Sequence, residues 1–304
     1  MNDKVIICNG DSWTYGSEIF LPELFTKYPE KSVWELELLI ENDSYRVDRI
    51  WPTCLSRELN VRTINIGRVA DDNNAILNRT INFVLQGLQN KTFTSDNLMI
   101  IHGWTTPERR EFWYKNPTNP SESFIYRLSP HGIGFPTDSD IYKFWKIYAM
   151  NFWNPEEYIV RHIINLLTFE HFCKSNGIKF LHFNAFYQGN GTIREGGVRH
   201  ISNWTDLDLH DELKKLDNSM LGYTNFFDSK NLGVRQASPF HFSNLWAEID
   251  DIRYYNKNQT SNSFKSFIEN SNIDDPITGI HPSPEGHAIW AKELAEYITK
   301  HSLL

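Results

Sequence analysis

Residues 8–17 read CNGDSWTYGS, directly after the apolar run Val5-Ile6-Ile7, and Ser12 within them carries a hydroxyl able to do chemistry. A serine hydroxyl becomes a nucleophile when a base lies within hydrogen-bond reach. It serves equally well as a turn residue or helix cap. Gly10 and Gly16 free the backbone around it, and Asp11 is suited to accept backbone N–H bonds. The partner for such a hydroxyl stands at the opposite end, in GIHPSPEGHAIWAKELAEYITKHSLL. There His281 precedes an expected amphipathic helix, with Ser283 as N-cap and Pro284 at the first helical position. A neutral imidazole in that fixed loop suits a general base. His287 is the competing imidazole, but within the first turns of a helix it is expected to pack or cap.

Four apolar runs, 5–8, 63–66, 98–101 and 178–183, read as buried strands. Between the second and third, DDNNAILNRTINFVLQGLQN places Leu77, Ile81, Val84 and Leu88 on one helical face, with Asp71 or Asp72 as cap. Before the fourth, residues 155–177 read as a long helix, with Pro155, Glu156 and Glu157 in its first turn and Gly177 beyond its end. Alternating strands and helices imply a parallel sheet covered by helices. Ligands bind at the carboxyl ends of strands in such sheets, which is where Ser12 falls. Segments near 17–50, 107–150 and 189–275 break the rhythm and read as insertions around one domain, the last with an expected helix over 206–218.

The chain has 304 residues, 40% of them hydrophobic and 14% aromatic, enough for a packed core. A net charge of −8 disfavours nucleic acid as partner. No run approaches a membrane span and the N-terminus lacks the pattern of a signal peptide, so a cytoplasmic location or a place in a larger particle is expected. Cys8, Cys54 and Cys173 show no ligand spacing, so neither a disulfide framework nor a metal site is expected.

Gly10-Asp11-Ser12 with Gly16, and His281-Pro282 followed by Gly286-His287, resemble the first and last sequence blocks of the SGNH/GDSL hydrolases, and bracket nearly the whole chain. Asn65-Ile66-Gly67 resembles the start of that family's second block, with Gly67 a turn residue and Ala70 at the later position whose N–H serves the oxyanion. The resemblance implies a single α/β domain over 1–304, a three-layer α/β/α architecture with a flavodoxin-like parallel sheet. It implies Ser12 as nucleophile, His281 as base, an oxyanion hole from the N–H groups of Ser12 and Ala70, and no cofactor. In the third block Gly103 matches, while Thr105 replaces the family's asparagine. Its hydroxyl can donate one bond to the oxyanion; the alternative is a packed strand end for Trp104 and Thr105 alike.

The family's aspartate three residues before the histidine is Thr278 here. Asp275 is therefore the expected orienting acid, with Asp274 or a backbone carbonyl as alternatives. Trp104 and Arg109 are candidate substrate contacts. Arg109 and Arg110 can clamp an anion or form a surface salt-bridge cluster with Glu108 and Glu111. Aromatic residues of the insertions, among them Trp113, Tyr114, Trp145, Phe152, Trp153 and Trp204, can line a sugar cleft or join the core. The expected activity is a serine esterase acting on a small acyl ester such as an O-acetyl group on a carbohydrate. A non-catalytic binding or structural module in a larger assembly is the alternative, and acyl transfer to another acceptor a third possibility.

Overall fold

The computed structural model describes residues 4–107, 109–115, 123–128, 138–151, 155–185, 190–191, 207–208, 249–255, 263–274, 277–278 and 281–304. Its centre is a parallel sheet of four strands: β1 (Val5–Asn9), β2 (Arg62–Asn65), β3 (Leu98–Trp104) and β6 (Lys179–Asn184). Their spatial order is β2-β1-β3-β6, so the sheet reverses direction of growth beside β1, as in flavodoxin-like sheets. Between β3 and β6 the antiparallel pair β4 (Arg110–Lys115) and β5 (Ser123–Leu128) projects from the 107–150 segment.

Period-two alternation explains the two cores. Val5 and Ile7 of β1 and Leu98 and Ile100 of β3 face one side, where they meet α6 (Asn73–Gln89) and α8 (Pro155–Ser175) through Leu77, Val84, Leu166 and Phe169. Ile6, Cys8, Met99 and Ile101 face the other, packing on α5 (Trp51–Leu59), α9 (Phe264–Glu269) and α10 (Pro284–Lys300) through Trp51, Leu55, Phe264, Trp290 and Leu294. The result is a three-layer α/β/α architecture, with the parallel sheet covered by helices as the alternation of elements implies. Both cores are apolar because parallel strands are covered on both faces.

The expected caps are present. Asp72 accepts from Ala75 N–H at 2.7 Å to start α6, and Ser283 accepts from Gly286 N–H at 3.1 Å to start α10. Gly177 ends α8 with φ +65°. Beyond β6 the backbone continues the ladder in fragments: Tyr254 and Ser263 form single parallel bridges to His182 and Asn184.

Of the expected insertions, 17–50 folds as α2 (Glu23–Lys27), α3 (Val33–Glu37) and α4 (Ile40–Arg49), and 107–150 as the β4–β5 hairpin followed by α7 (Asp140–Asn151). The helix expected over 206–218 differs in its first turn, where β8 (Leu207–Asp208) pairs antiparallel with β7 (Asn190–Gly191); its remaining residues lie outside the described ones. Among the described residues no helix is long and apolar enough to cross a membrane.

Candidate active site

The chain leaves β1 at Asn9 and turns at once into α1 (Ser12–Tyr15), placing Ser12 at the carboxyl edge of the sheet. A Cβ on Gly10 would sit 2.2 Å from Thr14 Oγ1 and 2.8 Å from the Gly103 carbonyl, so only glycine allows this close turn. Asp11 is the N-cap of α1. Its Oδ1 accepts from Trp13 N–H at 3.0 Å, and its Oδ2 accepts from the Thr105 hydroxyl at 2.6 Å and Arg109 Nη1 at 3.1 Å. The residue before Ser12 is thus fully buried and held from the loop that follows β3.

His281 arrives from the far end of the chain on β10 (His281–Pro282), which pairs with β9 (Ile277–Thr278) and runs into the Ser283 cap of α10. Its Nε2 lies 2.9 Å from Ser12 Oγ, and both residues are buried. That is the distance a base needs to take the hydroxyl proton.

The carboxylate on the other side of the imidazole is Glu18. Its Oε2 lies 3.1 Å from His281 Nδ1; the geometry is that of an ion pair rather than an aligned hydrogen bond. Glu18 gets there because Gly16 (φ 88°) and Glu18 itself (φ 64°) both adopt left-handed backbone, curling the chain back within three residues of the end of α1. A non-glycine residue in that region is uncommon and carries strain, and here it sits at the site. Sequence reading missed Glu18. The only signal was an acidic residue two positions after the glycine that ends the Ser12 turn. The expected Asp275 lies outside the described residues, and Asp274 is exposed.

The loop after β2 carries Ala70. Asn65 Oδ1 accepts from Gly67 N–H at 2.9 Å and its Nδ2 donates to the Thr14 carbonyl at 2.9 Å, while Arg68 N–H donates to the Gly10 carbonyl at 3.1 Å. Buried Asp71 pairs with Arg79, which also donates to the Ile66 carbonyl at 3.1 Å. These bonds tie the Ala70 loop to the Ser12 turn. Ala70 adopts φ 62°, the conformation a glycine would take without strain. Among the described residues neither the Ser12 nor the Ala70 N–H has an internal acceptor, as oxyanion donors require.

Two expectations need correction. Thr105 has one hydroxyl proton, and it is committed to Asp11 Oδ2, so this side chain braces the Ser12 turn instead of facing an oxyanion. Trp104 is fully buried and donates through Nε1 to His182 Nδ1 at 3.0 Å; it is a core residue, not a substrate contact. The packed strand end, the alternative reading for both, is what the fold shows.

Arg109 spends Nη1 on Asp11, on Thr105 Oγ1 at 2.9 Å and on the Asp71 carbonyl at 3.4 Å, and so links the β3 loop to the site. His287 is buried against Phe264 and accepts from Trp51 N–H at 3.1 Å. Burial lowers its pKa to about 3, which keeps it neutral and apart from the chemistry.

A family model described as "Family of unknown function (DUF6071)" matches residues 37–214, more than half of the chain. The chain belongs to the DUF6071 family. The DUF6071 match takes in Glu37, Ala70, Thr105 and Arg109 and leaves Ser12, Glu18 and His281 on either side. No curated protein matches the sequence. Among solved structures, the DUF6071 chain is similar to a protein assigned to the G-D-S-L family of lipolytic proteins from Desulfitobacterium hafniense DCB-2. That likeness has 11% identity and a TM-score of 0.41, covering 97% of this chain and 99% of the other. It is also similar to a carbohydrate esterase family 2 enzyme with a carbohydrate-binding domain from Corynascus thermopiles (Myceliophthora fergusii), at 9% identity and a TM-score of 0.42, covering 98% of this chain and 66% of the other.

Proposed function

We propose that this chain is a serine ester hydrolase with Ser12 as nucleophile, His281 as general base and Glu18 as the carboxylate that orients it. The observation that carries the reading is the 2.9 Å approach of His281 Nε2 to Ser12 Oγ, between residues 269 positions apart. Ser12 Oγ attacks the ester carbonyl as Nε2 takes its proton, and the N–H groups of Ser12 and Ala70 receive the developing oxyanion. His281 returns the proton to the departing alcohol, leaving an acyl-Ser12. Water, deprotonated by the same imidazole, then attacks the acyl carbonyl, and His281 returns that proton to Ser12 Oγ as the bond to serine breaks and the carboxylic acid leaves. Glu18 stabilises the imidazolium in both halves without itself accepting a proton.

For the substrate we propose a small acyl ester, with an O-acetyl group on a carbohydrate as the first candidate. Trp113 supports this: it is 77% exposed on β4, four residues beyond Arg109, which touches the nucleophile turn. Measuring p-nitrophenyl acetate turnover tests the reaction class. The parent is expected to turn over and Ser12→Ala to fall at least about 1,000-fold, as removal of a nucleophile does. Equal rates in both proteins would refute it.

A further inference from the structure

Arg109 reaches both loops that carry the N–H groups assigned to the oxyanion. Its Nη1 lies 3.1 Å from Oδ2 of Asp11, the residue before Ser12, and 3.4 Å from the carbonyl of Asp71, the residue after Ala70. Thr105 completes the junction: it accepts from Arg109 Nη1 at 2.9 Å, and its own hydroxyl donates to Asp11 Oδ2 at 2.6 Å. Asp11 is fully buried, and a buried carboxylate is held only while its cation stays in place. The loop that carries Arg109 is itself anchored. Asn73 at the start of α6 accepts from Thr105 N–H at 2.9 Å and donates to the Thr105 carbonyl at 3.1 Å. Arg161 of α8 donates to the carbonyls of Pro107 and Arg109 at 2.9 and 3.2 Å. Arg68 N–H and Asn65 Nδ2 already join the Ser12 turn to the Ala70 loop, at Gly10 and Thr14, but both lie ahead of Ala70. Past Ala70, Arg79 of α6 holds the Asp71 carboxylate, and Arg109 joins the Asp71 carbonyl to Asp11.

We propose that Arg109 is a positioning residue of this site, a clamp that sets the spacing between the Ser12 and Ala70 N–H groups and so the fit of the oxyanion between them. The proposal rests on the reading of Ser12 as nucleophile and of these two N–H groups as the oxyanion donors. Arg109 acts through Asp11 and Asp71, not on the acyl group. Donors of this kind work when they are held in place before the reaction begins, at hydrogen-bond distance from the position the oxyanion will take. With its hydroxyl committed to Asp11, Thr105 does not make up for an error in the position of either donor. The oxyanion forms in acylation and again in deacylation. A displaced donor therefore slows both steps alike and leaves KM nearly unchanged.

The test compares the parent with Arg109→Gln on p-nitrophenyl acetate, with rates divided by the number of sites that a fluorophosphonate labels at completion. Per labelled site, Arg109→Gln is expected to lower kcat about tenfold or more, part of the roughly 100-fold that a whole donor supplies, with KM within about threefold. Inhibition by a trifluoromethyl ketone is the second readout: Ser12 Oγ adds to its carbonyl carbon, the proton passes to His281 and the oxyanion so formed occupies the hole. Its affinity is expected to fall by about the factor lost from kcat/KM. Arg109→Lys keeps the positive charge but ends one bond nearer the backbone, and is expected to fall between the two. A merely structural Arg109 would lower the number of labelled sites and leave kcat and inhibitor affinity per site as in the parent; that result overturns the proposal. A rise in KM with kcat unchanged makes Arg109 a substrate contact and overturns it too. Should Arg109→Gln fail to fold, Arg109→Lys decides: a joint loss of kcat and inhibitor affinity supports the clamp, and parent values overturn it. A parent never labelled at Ser12 sinks the nucleophile reading and this role with it, whereas a labelled parent matched by its variant sinks the proposal alone.

Discussion

Glu18 faces His281 because of backbone geometry two residues earlier. A Cβ on Gly16 would lie 2.2 Å from Ile50 Cγ2, and the residue has φ +88°, so Gly16→Ala meets both steric and conformational strain. That variant is expected to lose about 1–3 kcal/mol of stability by chemical denaturation and to lower turnover through a displaced Glu18. Glu18→Gln keeps the shape and removes the charge. It is expected to reduce kcat on the order of 100-fold or more with the fold intact by circular dichroism. Asp275→Asn is expected to leave kcat within about twofold if Glu18 fills the orienting role; the reverse pattern would return that role to Asp275.

Ser283 joins helix and site: its hydroxyl starts α10, and the chain two residues earlier is His281. Ser283→Ala is expected to cost about 1 kcal/mol in denaturant and to lower turnover by more than that loss of fold explains, because the imidazole loses its fixed entry to the helix. The sheet strands and α6, α8 and α10 were legible in the sequence because apolar periodicity and caps are local signals. Ser12 and His281 were legible for a related reason, since each sits where a predicted element begins or ends. Trp104 and Thr105 were not. Trp104 is buried because a parallel sheet is covered on both faces, and Thr105 finds its acceptor in Asp11, 94 residues earlier. Glu18 escaped notice because left-handed turns outside glycine leave no trace in hydropathy.

Across the whole molecule, α10 closes the fold by bringing the C-terminal histidine to the N-terminal serine. Trp290 anchors it, stacked on Phe264 and edge-on to Phe183 and Tyr255. Trp290→Ala is expected to cost about 3–5 kcal/mol by thermal or chemical unfolding. On the opposite face, Glu170 accepts from Asp250 N–H at 3.0 Å, contacts His182 at 3.1 Å and pairs with Lys174 at 2.8 Å. Burial raises its pKa, but these partners outweigh burial and hold it at about 2. Because the folded value lies below the unfolded one, its stabilisation is present above about pH 4.5 and is lost as pH falls towards 2. Stability measured across that window is expected to fall less steeply in Glu170→Gln than in the parent. The central claim, that these distant segments assemble a nucleophile, is tested most directly by fluorophosphonate labelling followed by peptide mass mapping. A single covalent adduct on Ser12 that vanishes in His281→Asn is the expected result, and a folded parent carrying no adduct on Ser12 would contradict it.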